Sequence, residues 1–178
     1  MDCIRAKDGL LYAAAWNGAA LNKRTSDHVR TDGGHSAAIL SVEGELTGFA
    51  FDAAGDVWLT QLTTAGGILC RAKHDSWGAA VEQVVTQLDG APLGAVSAVE
   101  VSPAGKVYFA VAAAAGAENG LESALRTELL AHTATGCVYV YDPAARTVEK
   151  VLGGEAGAAG LALSPDGSPL YVSDLGSR

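Results

Sequence analysis

The chain has 178 residues, of which 49% are hydrophobic and 18% are charged, and its net charge is −8. This composition excludes a disordered chain and a long coiled coil, and it is sufficient for a buried core. The acidic balance argues against nucleic-acid binding, no apolar run is long enough for a membrane span, and residues 1–8 lack the apolar segment of a secretion signal. The spacing of Cys3, Cys70 and Cys137 fits neither a metal site nor a redox pair, which favours a cytoplasmic location.

One short pattern recurs four times along the chain: a turn containing glycine, followed by an alternating strand with an aromatic residue near its start. The copies lie at residues 7–12, 54–59, 104–109 and 166–172, and their turn glycines are 46, 50 and 62 residues apart. Glycine suits such turns because it adopts positive φ without steric cost. The pattern therefore predicts four β-hairpins.

Further strands are predicted around these hairpins. Alternation with a period of two predicts a strand upstream at 46–52, 96–102 and 160–164, and glycine opens a strand downstream at 17–21, 66–70 and 136–141. An Asp-Pro turn at 142–143 precedes a fourth strand at 147–152. Four antiparallel strands in about 45 to 50 residues are typical of a propeller blade. The predicted fold is an all-β propeller with about three and a half blades, and a β-sandwich is the alternative.

Residues 112–132 lengthen the third repeat. Asn119 is a candidate helix cap, and Leu121, Leu125 and Leu129 follow at helical spacing. We expect a short helix packed over one end of the propeller. The alternative interpretation is a lid at the mouth of the central channel, because loops there shape ligand entry.

Three motifs between residues 96 and 174 resemble the strictosidine synthase-like family in both sequence and order. They are KVYF at 106–109, TGCVYVYDP at 135–143 and GLALSPDG at 160–167, with the insertion between the first two. Residues 47–58 are similar more weakly. The family belongs with the gluconolactonase-like and paraoxonase-like calcium-dependent six-bladed propellers. The resemblance implies a propeller with a hydrolase- or synthase-type site that takes a small molecule in the central channel.

The sequence departs from the family pattern at several positions, and these departures change the cofactor and the site residues that we expect. Hydrolytic relatives hold calcium with Asn, Asp and Glu oxygens in the channel. The matching positions here are Ser97, Ala98, Ala110, Val111 and Ala159, which argue against calcium, so no cofactor is expected. The glutamate of strictosidine synthases lies in a later blade, beyond residue 178, and transfers to no position. No catalytic residue is identified, and Ser97 and Asp174 are the candidates for a channel-lining role.

Length limits the functional interpretation. A six-bladed propeller takes roughly 300 residues, so residues 1–178 are expected to form one partial propeller, with 96–174 as the strictosidine synthase-like region. Open sheet edges then predict self-association. The first hypothesis is a strictosidine synthase-like or lactonase-like protein with a degenerate channel site. The second is a non-enzymatic propeller that acts as a binding or scaffold module, and the third is a fragment without a function of its own.

Overall fold

The computed structural model describes residues 3–7, 10–16, 26–32, 35–76 and 81–176, with side chains described at residues 40, 42–76 and 81–176. Its main strands form four antiparallel sheets in chain order. Sheet I contains β1 (Cys3–Lys7), β2 (Leu10–Trp16), β3 (Ser26–Asp32) and β4 (His35–Val42), and sheet II contains β5 (Glu45–Phe51), β6 (Val57–Thr63), β7 (Gly66–Ala72) and β8 (Glu82–Val85). A small ribbon, β9 (Gln87–Leu88) and β10 (Ala91–Pro92), leads to sheet III, with β11 (Ala95–Val101), β12 (Val107–Ala113), β13 (Gly136–Asp142) and β14 (Thr147–Glu155). Sheet IV has β15 (Ala158–Leu163) and β16 (Leu170–Asp174).

This strand order confirms the predicted blades. Each of the three larger sheets is four consecutive antiparallel strands, as the repeat pattern indicates. The hairpin turns after β5, β11 and β15 place Gly55, Gly105 and Gly167 at φ values of 89°, 81° and 80°. Only glycine adopts this region readily, which explains its recurrence. The turn of the first predicted hairpin, at 8–9, and the strand predicted at 17–21 lie outside the described residues.

The first strands of successive sheets lie side by side along the propeller axis, with β11 between β5 and β15. Gly48 of β5 permits a close approach between sheets II and III. A Cβ atom at this position would lie 3.2 Å from the Ala98 Cα and 3.3 Å from the Val99 nitrogen. At Gly48 the inner strands of sheets II and III are therefore packed backbone against backbone, which leaves little room for a larger side chain at this position.

Apolar side chains fill the spaces between neighbouring sheets. Phe49 and Leu59 pack with Leu40 and Val42 of β4, and Phe109 and Trp58 belong to the larger cluster between sheets II and III. Trp58 is 2% exposed, and its ring lies 5.9 Å from that of Tyr141. The indole therefore packs between sheets II and III. Burial of this kind is the main driving force for stacking the sheets.

The insertion forms a 3₁₀ turn at Ala117–Asn119 and an α-helix, α1 (Leu121–Ala131). The predicted cap is wrong: Gly120 occupies the N-cap position, and the Asn119 side chain instead donates to Glu118. Leu121 and Leu125 are buried as their spacing predicts. Within the part of the chain that the structure describes, no helix has the length and apolar character needed to cross a bilayer.

Candidate functional site

Strands β5, β11 and β15 begin at one end of their sheets, which we call the channel mouth. Antiparallel pairing places the end of the second strand of each sheet beside the start of the first. The paired residues are Glu45 with Leu62, Ala95 with Ala113, and Ala158 with Asp174. The insertion follows β12 directly, so α1 lies at this end as well. Loops at such an end of a scaffold are the usual place for binding residues.

Ser97, the first candidate site residue, lies on β11 between sheets III and IV. Its hydroxyl donates to the Ala158 carbonyl at 2.6 Å and lies 3.5 Å from the Ala110 carbonyl. The residue is 2% exposed. The hydroxyl is thus engaged in joining two inner strands, and it is not presented to a ligand.

Asp174, the second candidate, ends β16 at the channel mouth. Its two carboxylate oxygens accept hydrogen bonds from the Ala156 N–H at 3.2 Å and the Gly176 N–H at 3.0 Å. Ala158, the acceptor for Ser97, is the cross-strand partner of Asp174. The two candidates therefore lie near the same strand end, although no direct hydrogen bond between them is described.

Glu155 is a site residue that the sequence did not reveal. It is the last residue of β14, and Asp174 lies in the next sheet. Burial, a hydrogen bond with Asp174 and the charge of Asp174 raise the pKa of Glu155 above its usual range. Glu155 consequently keeps its proton to a higher pH than an isolated glutamate does. The two residues are 19 positions apart, and no local motif marks their contact.

The five positions that bear on calcium lie on the inner two strands of sheets III and IV. Ala98, Ala110 and Ala158 share an apolar cluster between these sheets with Val138 and Leu161. Ala110 is fully buried, Val111 is 5% exposed, and Ala159 is half-buried. Calcium requires six to eight oxygen ligands, and four of the five side chains carry no oxygen. The Ser97 hydroxyl is already engaged. Among the described residues, no group of three or more His, Cys, Asp or Glu side chains is placed to hold a metal ion.

Helix α1 forms a wall of the channel mouth. A cleft of about 570 Å³ runs along it, lined by leucines and by charged residues at its rim. The lining residues are Glu45, Leu121, Glu122, Leu125, Arg126, Leu129 and Leu130. A mostly apolar cleft with a few polar groups is the usual character of a small-molecule site.

No family model matches the chain. The protein strictosidine synthase-like 12 of Arabidopsis thaliana is 28% identical over 146 residues, which are 81% of this chain and 41% of that protein. A gluconolactonase of Xanthomonas campestris superposes with a TM-score of 0.67 at 20% identity, over 93% of this chain and 50% of that one. A structure assigned as a gluconolactonase gives 0.66 at 16% identity, over 94% and 52%. The chain thus spans about half the length of these proteins. The predicted resemblance and the propeller fold are confirmed.

Proposed function

We propose that this strictosidine synthase-like, gluconolactonase-like propeller acts on a small lactone or ester at the channel mouth, and that it does so without calcium held by the described residues. The proposal depends on the Glu155–Asp174 pair, which lies at the end of the fold that carries α1 and its cleft. One of the similar structures is a gluconolactonase. Its lactone substrate class suits a site that supplies a proton donor and a proton acceptor.

The proposed chemistry uses the proton that Glu155 retains at a higher pH than usual. Hydrolysis of a lactone forms a bond between a water oxygen and the carbonyl carbon and breaks the ring C–O bond. Asp174, as the carboxylate, would accept the proton of the attacking water, and protonated Glu155 would donate to the leaving oxygen. A protonated carboxyl group as donor and a carboxylate as acceptor are a usual means of such acid–base catalysis.

The experiment measures hydrolysis of a lactone and an aryl ester by the purified chain, with calcium and with a chelator. We expect turnover that the chelator does not change. Glu155→Gln and Asp174→Asn should each lower kcat by about 10²-fold or more, since general acid–base catalysis contributes that much. Glu149→Gln is the matched control, because Glu149 is an exposed glutamate on the same strand as Glu155.

Each other outcome contradicts part of the proposal. Turnover that disappears with the chelator would show that calcium takes part. Unchanged kcat in both carboxyl variants would remove the pair from the reaction. A folded chain that binds these compounds without hydrolysing them would favour the non-enzymatic binding module.

A further inference from the structure

We infer that α1 is a fixed wall of the channel mouth, pinned by a carboxylate at each end, and that it does not open as a lid. The inference is independent of the proposed activity, because it concerns how the 114–135 segment is held. Its basis is a set of hydrogen bonds that connect the helix to both junctions of the insertion and to sheet II. No residue of the Glu155–Asp174 pair takes part.

Glu128 holds the C-terminal end of the helix. It is 5% exposed, and one of its oxygens accepts from the Thr133 hydroxyl at 2.6 Å and the Thr135 hydroxyl at 2.8 Å. The other oxygen accepts from the Thr135 N–H. Although burial tends to raise the pKa of Glu128, these hydrogen bonds outweigh it and hold the pKa below its usual range. The carboxylate is thus satisfied inside the protein without a partner cation among the contacts described.

Thr135 extends this network across the base of the insertion. Its hydroxyl oxygen accepts from the Ala114 N–H at 2.9 Å while the hydroxyl donates to Glu128. Ala114 directly follows β12, and Thr135 directly precedes β13. Thr135 therefore connects the segment after β12, the segment before β13 and helix α1 by hydrogen bonds. Networks in which each member is satisfied are rigid, and the buried Glu128 carboxylate would be left without its partners if these bonds broke.

Glu45 holds the N-terminal end of the helix from another sheet. Its carboxylate accepts from the Leu121 N–H at 2.9 Å, although Glu45 begins β5 in sheet II. A negative charge at a helix N-terminus is also favoured by the helix dipole. The helix that leaves sheet III is in this way joined to sheet II at its first residue.

The face of α1 that points into the protein also packs against the loops at sheet IV. Ala124 and Leu125 are 1% and 7% exposed. Two glycines of the loops at sheet IV, Gly157 and Gly176, approach the helix so closely that added Cβ atoms would lie 3.2 Å from Leu125 and 2.9 Å from Leu129. Opening a lid would expose these leucines and break the bonds at both ends together. A ligand would consequently have to fit the mouth as α1 shapes it.

Hydrogen exchange measured by mass spectrometry on the purified chain tests the inference. A fixed wall predicts that amides of α1 exchange as slowly as those of β12 and β13, within about tenfold, because lids come from the least stable parts of a fold. Glu128→Gln and Thr135→Val should each accelerate exchange in 114–135 by about tenfold or more and leave β5–β7 unchanged. Glu122→Gln is the control, since Glu122 is exposed on the same helix.

Three results would overturn the inference. The first is wild-type exchange in α1 that is much faster than in β12. The second is exchange in both Glu128→Gln and Thr135→Val that equals that of the control. The third is acceleration that is uniform over all sheets, because it would mean that the network supports the whole fold and not the wall. If neither variant folds, the wild-type comparison of α1 with β12 still decides the question.

Discussion

The Ser97 hydrogen bond allows a candidate catalytic serine to be separated from a structural one. Ser97→Ala removes the 2.6 Å bond to the Ala158 carbonyl, and both residues are buried, at 2% and 0% exposure. A buried acceptor that loses its donor costs about 1–3 kcal/mol. For a chain of this size the melting temperature falls by roughly 2–4 °C for each kcal/mol. We therefore expect the substitution to lower Tm by about 2 to 12 °C while leaving turnover almost unchanged.

The assay combines thermal unfolding with the hydrolysis measurement. Ser123→Ala is the control, because Ser123 is exposed on α1 and its replacement removes no buried hydrogen bond. If Ser97→Ala were no less stable than Ser123→Ala, the Ser97 hydrogen bond would not stabilise the fold, and the structural role of Ser97 would be wrong. A loss of activity by several orders of magnitude at unchanged stability would identify Ser97 as catalytic.

Three further predictions concern charge and packing. Asp56→Asn should lower the free energy of unfolding by about 2 kcal/mol, because the carboxylate lies 2.7 Å from Arg71. Burial tends to raise the pKa of Asp56, but its hydrogen bonds and neighbouring cations lower the pKa overall. The stabilisation by the Asp56 carboxylate is therefore lost as pH falls below the usual aspartate range. Acid titration of Asp56→Asn should not show this loss of stability. Glu155 has a raised pKa. Its contribution to folding stability is therefore complete below the usual glutamate range and is lost as pH rises through the raised value. Urea unfolding over that pH window should show Glu155→Gln gaining stability relative to wild type. Gly48→Val should cost about 1–3 kcal/mol in the same assay by forcing sheets II and III apart, whereas Gly153→Ala, whose Cβ would lie 3.4 Å from its nearest neighbour, should be tolerated.

The sequence predicts local elements of this fold well because their signals are local. Gly55, Gly105 and Gly167 mark turns whose φ values few other residues adopt, and the period-two strands around them pair in chain order. The leucine spacing similarly predicts α1. The helix cap could not be predicted in this way, because the group that binds the Leu121 N–H is Glu45, 76 residues upstream in another sheet.

Contacts between sheets were the part that sequence patterns could not supply. Ser97 finds its acceptor 61 residues away, and Glu155 meets Asp174 only because β14 and β16 end near each other. Neither contact can be predicted from the repeat, because each depends on how closely strands of different sheets approach one another. The channel-lining role of Ser97 and Asp174 therefore stays a prediction, whereas the hydrogen-bond partners of both residues come from the structure alone.

The apolar character of the inner strands connects packing with chemistry. Ala110 is fully buried beside Val138, Ala158 and Leu161, in a cluster that joins sheets III and IV. An aspartate at this position would bury a charge among methyl groups, which is costly unless the charge is paired. The small apolar residues of this cluster therefore let sheets III and IV meet closely. The proposed reaction therefore takes its polar groups from the channel mouth, where Glu155 and Asp174 lie, and not from this apolar cluster.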